Sequence, residues 1–588
     1  MLSAVKPFRL NVNQPTVRFG VLCNKTPFRA WQVRCLEALL ALQDVHLTLL
    51  IVVELVEPPA PTRTQAGKSK PVDFNHSLYH LYQRYLSKPS ALRPVDSGRL
   101  TAGVPTIHCK TRHKTRNGGL RQFFAEADIR SVCRHRLDFV LHFGSGLFGG
   151  EILDAAPLGI WSFLHGDPAK YRGEPPCFWE IYHDDPVTAA ILYRPLDGTE
   201  GGVILKQGFL KTLAHSHSGN LDRLLYECAL WPAQVCRELR HGGNGPRQAP
   251  ALQIPAPAVA PPSNLQMLRF AIRILGNLLL ETRQTLFCHP QWNIGIVHQP
   301  IQAFLNPALK PQVHYLQHRG KSQFLADPFG IYQDNRLVIL CEEFDFRSFT
   351  GVISSMIADD RARPSQHRVV MDLPVHMSYP YLIEHQGEIY CIPETARARE
   401  VALYLAEGFP FRWHKVTTLI QGVAAIDPTI FQFEGRWWLA CTDRERGAHF
   451  KLFLWHAEAL PGPWKPHRAN PVKIDVRSSR PAGTPFVHEG CLYRPAQDCS
   501  RAYGGAIMIN RILRLTPEEF QEEAAAVLRP DPDGPYPDGV HTLSAAGSLT
   551  LIDGNRFAFN AAGFRHVLKR EIARFFSWIP AKACPRRL

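Results

Sequence analysis

Four segments of this chain rhyme: 335–344 (NRLVILCEEF), 387–396 (GEIYCIPETA), 435–444 (GRWWLACTDR) and 489–498 (EGCLYRPAQD). Each has a turn residue, then an alternating aromatic or aliphatic strand, then an acid or amide. Their cysteines, Cys341, Cys391, Cys441 and Cys491, recur every 50 residues. Upstream of these strands lie 324–332 (FLADPFGIY), 377–385 (MSYPYLIEH), 425–433 (AIDPTIFQF) and 479–488 (SRPAGTPFVH), and a fifth, partial copy occupies 539–559. Repeats of this length, each holding several short strands, predict a five-bladed β-propeller over 291–570, because one blade cannot bury its own faces. The competing reading is a β-sandwich with accidental internal similarity.

The first half has a different texture. Residues 17–23 (VRFGVLC), 45–55 (VHLTLLIVVEL) and 137–143 (LDFVLHF) are apolar runs of the kind buried on both faces of a parallel sheet. Between the first two, 30–42 repeats apolar residues at helical spacing, with Trp31, Cys35, Leu36, Leu39 and Leu42 inward. Strand–helix–strand alternation predicts a three-layer α/β, Rossmann-like domain over 15–243. No G-x-G-x-x-G follows the first strand, which removes the dinucleotide fingerprint. Residues 244–264, rich in Pro and Ala, predict a semi-extended linker, followed by a connecting helix over 265–290. The chain is thus expected to be multidomain, an α/β domain followed by a propeller.

Composition narrows the function classes. Over 588 residues, 45% are apolar and 20% charged, which excludes wholesale disorder and coiled coil. The most apolar stretch, 36–55, is broken by Glu37, Gln43, Asp44 and His46, so no transmembrane span is expected. No secretory leader is read at the start, and the 14 cysteines include no C-x-x-C pair, so a cytoplasmic protein with reduced thiols is expected. The net charge of +15 favours anionic partners, but the cations form no block of five or six and no nucleic-acid signature, so no nucleic-acid partner is expected. The basic and aromatic tail, 571–588, is a candidate for peripheral membrane contact. No metal site is predicted.

Residues 158–208 carry the densest chemistry: LGIWSFLHGDPAKYRGEPPCFWEIYHDDPVTAAILYRPLDGTEGGVILKQG. This segment resembles the formyltransferase family, which includes methionyl-tRNA and sugar N-formyltransferases. Tyr171, Arg172 and Gly173 match the family's loop, and Pro176 and Trp179 continue it; the resemblance covers roughly 17–210. It implies formyl-tetrahydrofolate as donor and a tetrahedral oxyanion steadied by an amide and an imidazole, with a carboxylate orienting the imidazole. Counting from the loop, the family's Asn falls at Ser162, its His at Leu164 with His165 one place later, and its Asp at Glu200. The resemblance therefore assigns catalysis to His165, Glu200 and Ser162, and substrate or cofactor loop contacts to Asp167, Tyr171, Arg172 and Gly173.

The second half resembles the propellers of glycoside hydrolase family 43, and more closely the N-terminal domain of plant glucosamine inositolphosphorylceramide transferases. The residues behind this are FLADPFG (Asp327), YPYLIEHQGEIYCIPET (Glu394), IDPTIFQFEGRWWLACTD (Asp427, Asp443) and SRPAGTPFVHEGCLYRP (Arg480). The likeness implies that Asp327 and Asp427 occupy the hydrolase base and pKa-tuning positions, that Glu343 or Glu394 replaces the proton donor absent at Ala482 and Gly483, and that Asp443 and Arg480 join them in a funnel. Tyr379, Tyr381, Trp437 and Trp438 are candidates for stacking on sugar rings, or for core. Together the resemblances imply formyl transfer to an amino sugar, nucleotide sugar or glycan during glycan or glycolipid biosynthesis. Two alternatives stay open: a carbohydrate-binding protein that has lost catalysis, and a glycoside hydrolase or transferase acting in the funnel.

Overall fold

The computed structural model describes residues 16–24, 27–55, 74–116, 119–144, 146–171, 175–197, 201–240, 251–252, 261–317, 320, 322–333, 336–358 and 364–578. Two compact units divide between Asn277 and Leu278.

The first unit is built on a ten-stranded mixed sheet. Val17–Cys23 pairs in parallel with Val45–Leu55 on one side and with Phe139–His142 on the other. Thr106–Arg116 and Ile160–His165 extend this parallel centre outward. The apolar runs read from sequence form its middle, where Phe139 stacks on Phe19 (5.4 Å) and on Trp161 (3.9 Å) across the strands. Trp31, Cys35, Leu36 and Leu39 of helix Ala30–Leu40 are buried, as their spacing predicts, whereas Leu42 lies past the helix end and is only half-buried. The Rossmann-like expectation is corrected at both edges, where the sheet becomes mixed. Val187–Pro195 and Gly202–Lys211 run antiparallel beyond Ile160–His165, and Gly119–Phe124 runs antiparallel beyond Thr106–Arg116. The linker also yields a short element, because Ala251–Leu252 joins the sheet edge against Gly202 and Val203 and buries Leu252. One long helix, Asn264–Phe287, follows.

The second unit is a five-bladed β-propeller. Its blades begin at Gln323, Ser378, Ala425 and Arg480, and the fifth is a composite. There the inner strands Leu543–Ala546 and Leu549–Ala558 pair onward to His289–Val297 and Val313–Tyr315 from the start of the unit. The partial fifth repeat at 539–559 is partial for this reason. His289–Val297 lies antiparallel to Leu549–Ala558 along its whole length, from His289–Ala558 to Val297–Thr550.

Blades one to three share one backbone device in the innermost strand. The strand register slips at 326–329, 378–381 and 426–429, and at each slip one residue takes positive φ: Asp327 (50°), Tyr379 (46°) and Asp427 (50°). Each precedes a proline, and such a conformation costs of order 1–3 kcal/mol for a residue with a side chain. A bulge re-aims the side chain it carries. The 50-residue cysteine spacing does not track this register. The residues paired just before the slip are Glu342, Glu394 and Thr442, so Cys341 and Cys441 precede them by one place and Cys391 by three. Cys491 opens its strand opposite His488.

Blade four holds a deeply buried ion pair. Arg494 and Glu522 are almost wholly buried and meet at 2.6 Å, with Lys473 at 2.7 Å from the same carboxylate. Burial alone would raise the Glu522 pKa, but Arg494 and Lys473 outweigh it and hold it below its ordinary value. Replacing Glu522 with Gln is expected to cost about 3–5 kcal/mol in urea denaturation, since Arg494 is left buried without its counter-charge. The stabilisation is present above the unfolded-state pKa near 4.5 and is lost as pH falls through the depressed folded value. Wild-type stability therefore declines on acidification through this range, and the Gln variant lacks that component of the decline.

Candidate functional site

Where the bulged strands meet, carboxyl groups from different blades form one network. Asp427 receives two hydrogen bonds from Arg480, Nε at 2.6 Å and Nη2 at 3.2 Å, and a third from Gln497 Nε2 at 2.8 Å. Its backbone N–H donates to Glu394 Oε2 at 3.0 Å. Asp327 takes hydrogen bonds from the Thr542 hydroxyl (2.9 Å) and the Tyr379 backbone N–H (3.2 Å). Its own N–H donates to Asp553 (3.2 Å). The phenol of Tyr379 ties blades three and four to this centre, touching Thr429 Oγ1 at 2.9 Å and accepting from the Gly483 N–H at 2.7 Å. Gly483 has φ +114°, and a Cβ there would lie 1.9 Å from the Leu543 carbonyl, so no side chain fits. The proton-donor position of the hydrolase pattern is thus occupied by close backbone packing.

His541 is the cationic counterpart on the blade-five side. Its Nδ1 lies 2.5 Å from Asp553 and its Nε2 lies 3.6 Å from Asp327. The ring stacks on Trp292 (3.9 Å, 11°), and Tyr503 meets it edge-on (5.2 Å). Arg480 lies 4.7 Å above the Tyr503 ring. Asp327, His541 and Asp553 form a His/Asp group whose ligand atoms fall within 4.8 Å of one another, the spacing a divalent cation needs. In this arrangement the imidazole itself bridges the two carboxylates.

The electrostatics follow from burial. Burial pushes Glu394 up to about 8, aided by Asp427 and opposed by Arg480. Asp327 rises to about 6 through burial, with His541 opposing and Asp427 and Asp553 adding to the rise. Burial and the surrounding acids hold Glu342 well above the carboxylate range. For His541, burial lowers the pKa, but Asp553 and Asp327 prevail and raise it. The point where the bulged strands meet therefore carries Glu394 and Glu342, which retain protons near neutrality, and Asp327, which gives its proton up near 6, beside an Arg–Asp pair with both carboxylate oxygens engaged.

Of the funnel residues expected from sequence, Asp327, Glu394, Asp427 and Arg480 come together. Glu343 does not: it accepts from the Ser354 hydroxyl (2.6 Å) and lies 3.0 Å from His367. Alternation along the strand turns its neighbour Glu342 toward the acids instead. Asp443 is buried, but its carboxylate caps the turn of helix at Arg444–Gly447 by accepting from the Glu445 N–H at 2.8 Å. Tyr379, Tyr381 and Trp437 belong to one core cluster and Trp438 to another, which leaves them no sugar-stacking face. Sequence reasoning missed Trp292, His541, Asp553 and Glu342. The first three lie on the composite blade, where the repeat is incomplete.

In the first unit, Ser162 touches an imidazole, but it belongs to His142 (Nδ1, 3.2 Å) and not to His165. The opposite nitrogen of His142 is buried with no partner among the described residues, and burial pushes the ring's pKa down to about 4. His165 is half-covered; its Nε2 lies 3.6 Å from the Cys228 thiol, and its ring meets Trp31 edge-on at 5.6 Å. Burial pushes its pKa down to about 4 as well. Asp167 shapes a turn by accepting from the Ala169 N–H (3.0 Å), and Tyr171 stacks on His183. Glu200, Arg172 and Gly173 lie outside the described residues, so the expected His165–Glu200 pairing does as well.

Comparison with known proteins follows the boundary between the units. Residues 303–531 match the family model described as glucosamine inositolphosphorylceramide transferase 1, N-terminal. A glucosamine inositolphosphorylceramide transferase 1 of Oryza sativa subsp. japonica is 34% identical over 207 residues, covering 34% of this chain and 28% of that protein. The Arabidopsis thaliana protein of the same name is 32% identical over 250 residues, covering 40% and 32%. The chain thus spans about a third or less of these relatives' length. A methionyl-tRNA formyltransferase of Bifidobacterium longum (strain DJO10A) is 28% identical over 137 residues, covering 23% of this chain and 38% of that protein. Among solved structures, a family 117 glycoside hydrolase of Zobellia galactanivorans covers 46% of this chain and 91% of its own at 12% identity, with a TM-score of 0.31, a likeness too slight to decide anything. These relatives overturn the expected activity. The longer and more similar matches are to glucosamine inositolphosphorylceramide transferases, so formyl transfer is withdrawn as the function of the chain and formyl-tetrahydrofolate as its donor.

Proposed function

We propose that the propeller funnel binds a carbohydrate and that the chain acts in glycoconjugate assembly by glycosyl transfer. The observation that carries this reading is the convergence of Asp327, Glu394 and Asp427 on Arg480 at one end of the propeller axis. The printed name of the plant relatives, transferases of glucosamine inositolphosphorylceramide, supports an amino sugar and a glycolipid as the substrate class. In the first unit, residues 17–210 keep a formyltransferase-like framework without that chemistry. A cytoplasmic setting is part of this proposal.

The chemistry assigned to the funnel is a paired proton transfer. As the acceptor hydroxyl oxygen bonds to the anomeric carbon, Asp327 takes its proton. As the bond to the leaving oxygen breaks, Glu394 gives that oxygen a proton. Asp427 is a positioning residue: held by Arg480 and Gln497, it fixes the guanidinium and, through its N–H, the Glu394 carboxylate.

Three measurements test this reading. Transfer to an amino-sugar glycolipid acceptor is expected to follow a bell in pH, falling below about 6 as Asp327 protonates and above about 8 as Glu394 ionises. Glu394→Gln should lower turnover by about 10²–10⁴-fold with glycan affinity little changed; unchanged turnover would remove Glu394 from the mechanism. For Asp427→Asn, calorimetric titration with glucosamine-containing glycans should show affinity weakened about tenfold or more, because the freed guanidinium no longer holds its place. Affinity equal to wild type would reject the funnel as the binding site.

A separate measurement concerns His541. Its raised pKa contributes stability that is fully present below the unfolded value of 6.5 and lost as pH rises through the folded one. Asp553→Asn should lower the imidazole pKa seen by nuclear magnetic resonance and cost about 3 kcal/mol at pH 6. An unmoved titration would show that Asp553 does not hold the His541 charge.

A further inference from the structure

Helix Asn264–Phe287 has two apolar faces in its first half. Met267 and Phe270 point into the first unit, packing with Phe178, Trp179 and Ile181. On the opposite side, Leu268, Ile272 and Leu275 fall on one stripe and are 55%, 63% and 58% exposed. At 100° per residue these three lie within about 60° of arc, roughly opposite Phe270. The segment beside it repeats the arrangement. Tyr82 turns inward to meet Phe270 edge-on (5.9 Å), and Asn264 accepts from the Leu78 N–H (2.9 Å), while Leu78, Leu81 and Tyr85 stay exposed at i, i+3 and i+7. Neither outward stripe is needed for the core that the two segments share.

Along the two stretches that carry these stripes the charged residues are all cations, with Glu281 following just beyond. Residues 74–90 and 262–280 contain Arg84, Lys88, Arg269 and Arg273 and no Asp or Glu. All four cations are exposed. A second copy docking through a two-fold axis would set these cations against themselves. An anionic bilayer would accept the leucines into its interface and the cations among its headgroups. We propose that this surface of the first unit docks the protein on anionic membrane. The inference does not rest on the glycosyl-transfer reading, and it lies outside the basic C-terminal tail.

The test is co-sedimentation of the full chain with phosphatidylcholine vesicles, with and without about a third phosphatidylserine. Wild type should bind the anionic vesicles, lose that binding at high salt, and bind pure phosphatidylcholine at least several-fold more weakly. The triple variant Leu268→Gln, Ile272→Gln, Leu275→Gln should lose about tenfold or more in vesicle affinity with its thermal unfolding unchanged, since the three side chains are exposed. Arg269→Glu should weaken binding at low salt. The pair Leu568→Gln, Ile572→Gln on the C-terminal helix should leave binding as in wild type. The proposal is overturned if wild type ignores the anionic vesicles, if the triple variant binds like wild type, or if only the C-terminal pair abolishes binding. It is also overturned if wild type is a dimer that the triple variant converts to monomer without any vesicle binding, which would make the surface a self-association face.

Discussion

The propeller depends on one pairing, between His289–Val297 and Leu549–Ala558. These strands are more than 250 residues apart in sequence and align over nine residues. This pairing closes the ring, and ring closure brings the innermost strands of all five blades to a common axis. It also delivers the Asp553 carboxylate and the Trp292 ring to opposite sides of His541. Without closure the acids of blades one to three would have no opposing wall, and the desolvation that raises Asp327 and Glu394 would be lost.

Given closure, the backbone bulges decide which side chains enter the centre. An ordinary strand would alternate its residues between the two faces. Positive φ at Asp327, Tyr379 and Asp427 breaks that alternation at equivalent points of three blades. Two of the three supply carboxylates, and the third supplies a phenol that bonds to Thr429 and Gly483 and so locks blade to blade. The strain of these positions is offset by hydrogen bonds that the aimed groups then make, above all the Arg480 fork on Asp427. Side chains aimed by the backbone in this way are held in place by the fold itself.

In the first unit the described residues of the expected site find other partners. Ser162 lies within the strand Ile160–His165 and His165 closes it. Ser162 is bonded to His142, and His165 meets Trp31 and Cys228. Both imidazoles are held neutral at physiological pH by burial. The family model that matches the chain covers residues 303–531, in the propeller half.

Residues in sequence determined the blade count, the parallel centre of the first sheet, and the acids Asp327, Glu394 and Asp427. Each is written locally, in an alternating strand, a buried apolar run or an Asp-Pro at a strand start. Tertiary structure alone decided the rest of the site. Glu342 and Glu343 are adjacent acids in one strand, and only the register against 323–333 turns one to the centre and the other to Ser354 and His367. His541, Asp553 and Trp292 belong to a blade assembled from both ends of the propeller, so no repeat in the sequence marks them. The equal cysteine spacing suggested a strict register that the strands do not keep, because loop lengths vary between blades while hydrogen-bond pairing fixes each strand. Sequence records what each segment prefers by itself; which segments become neighbours is fixed by closing the ring.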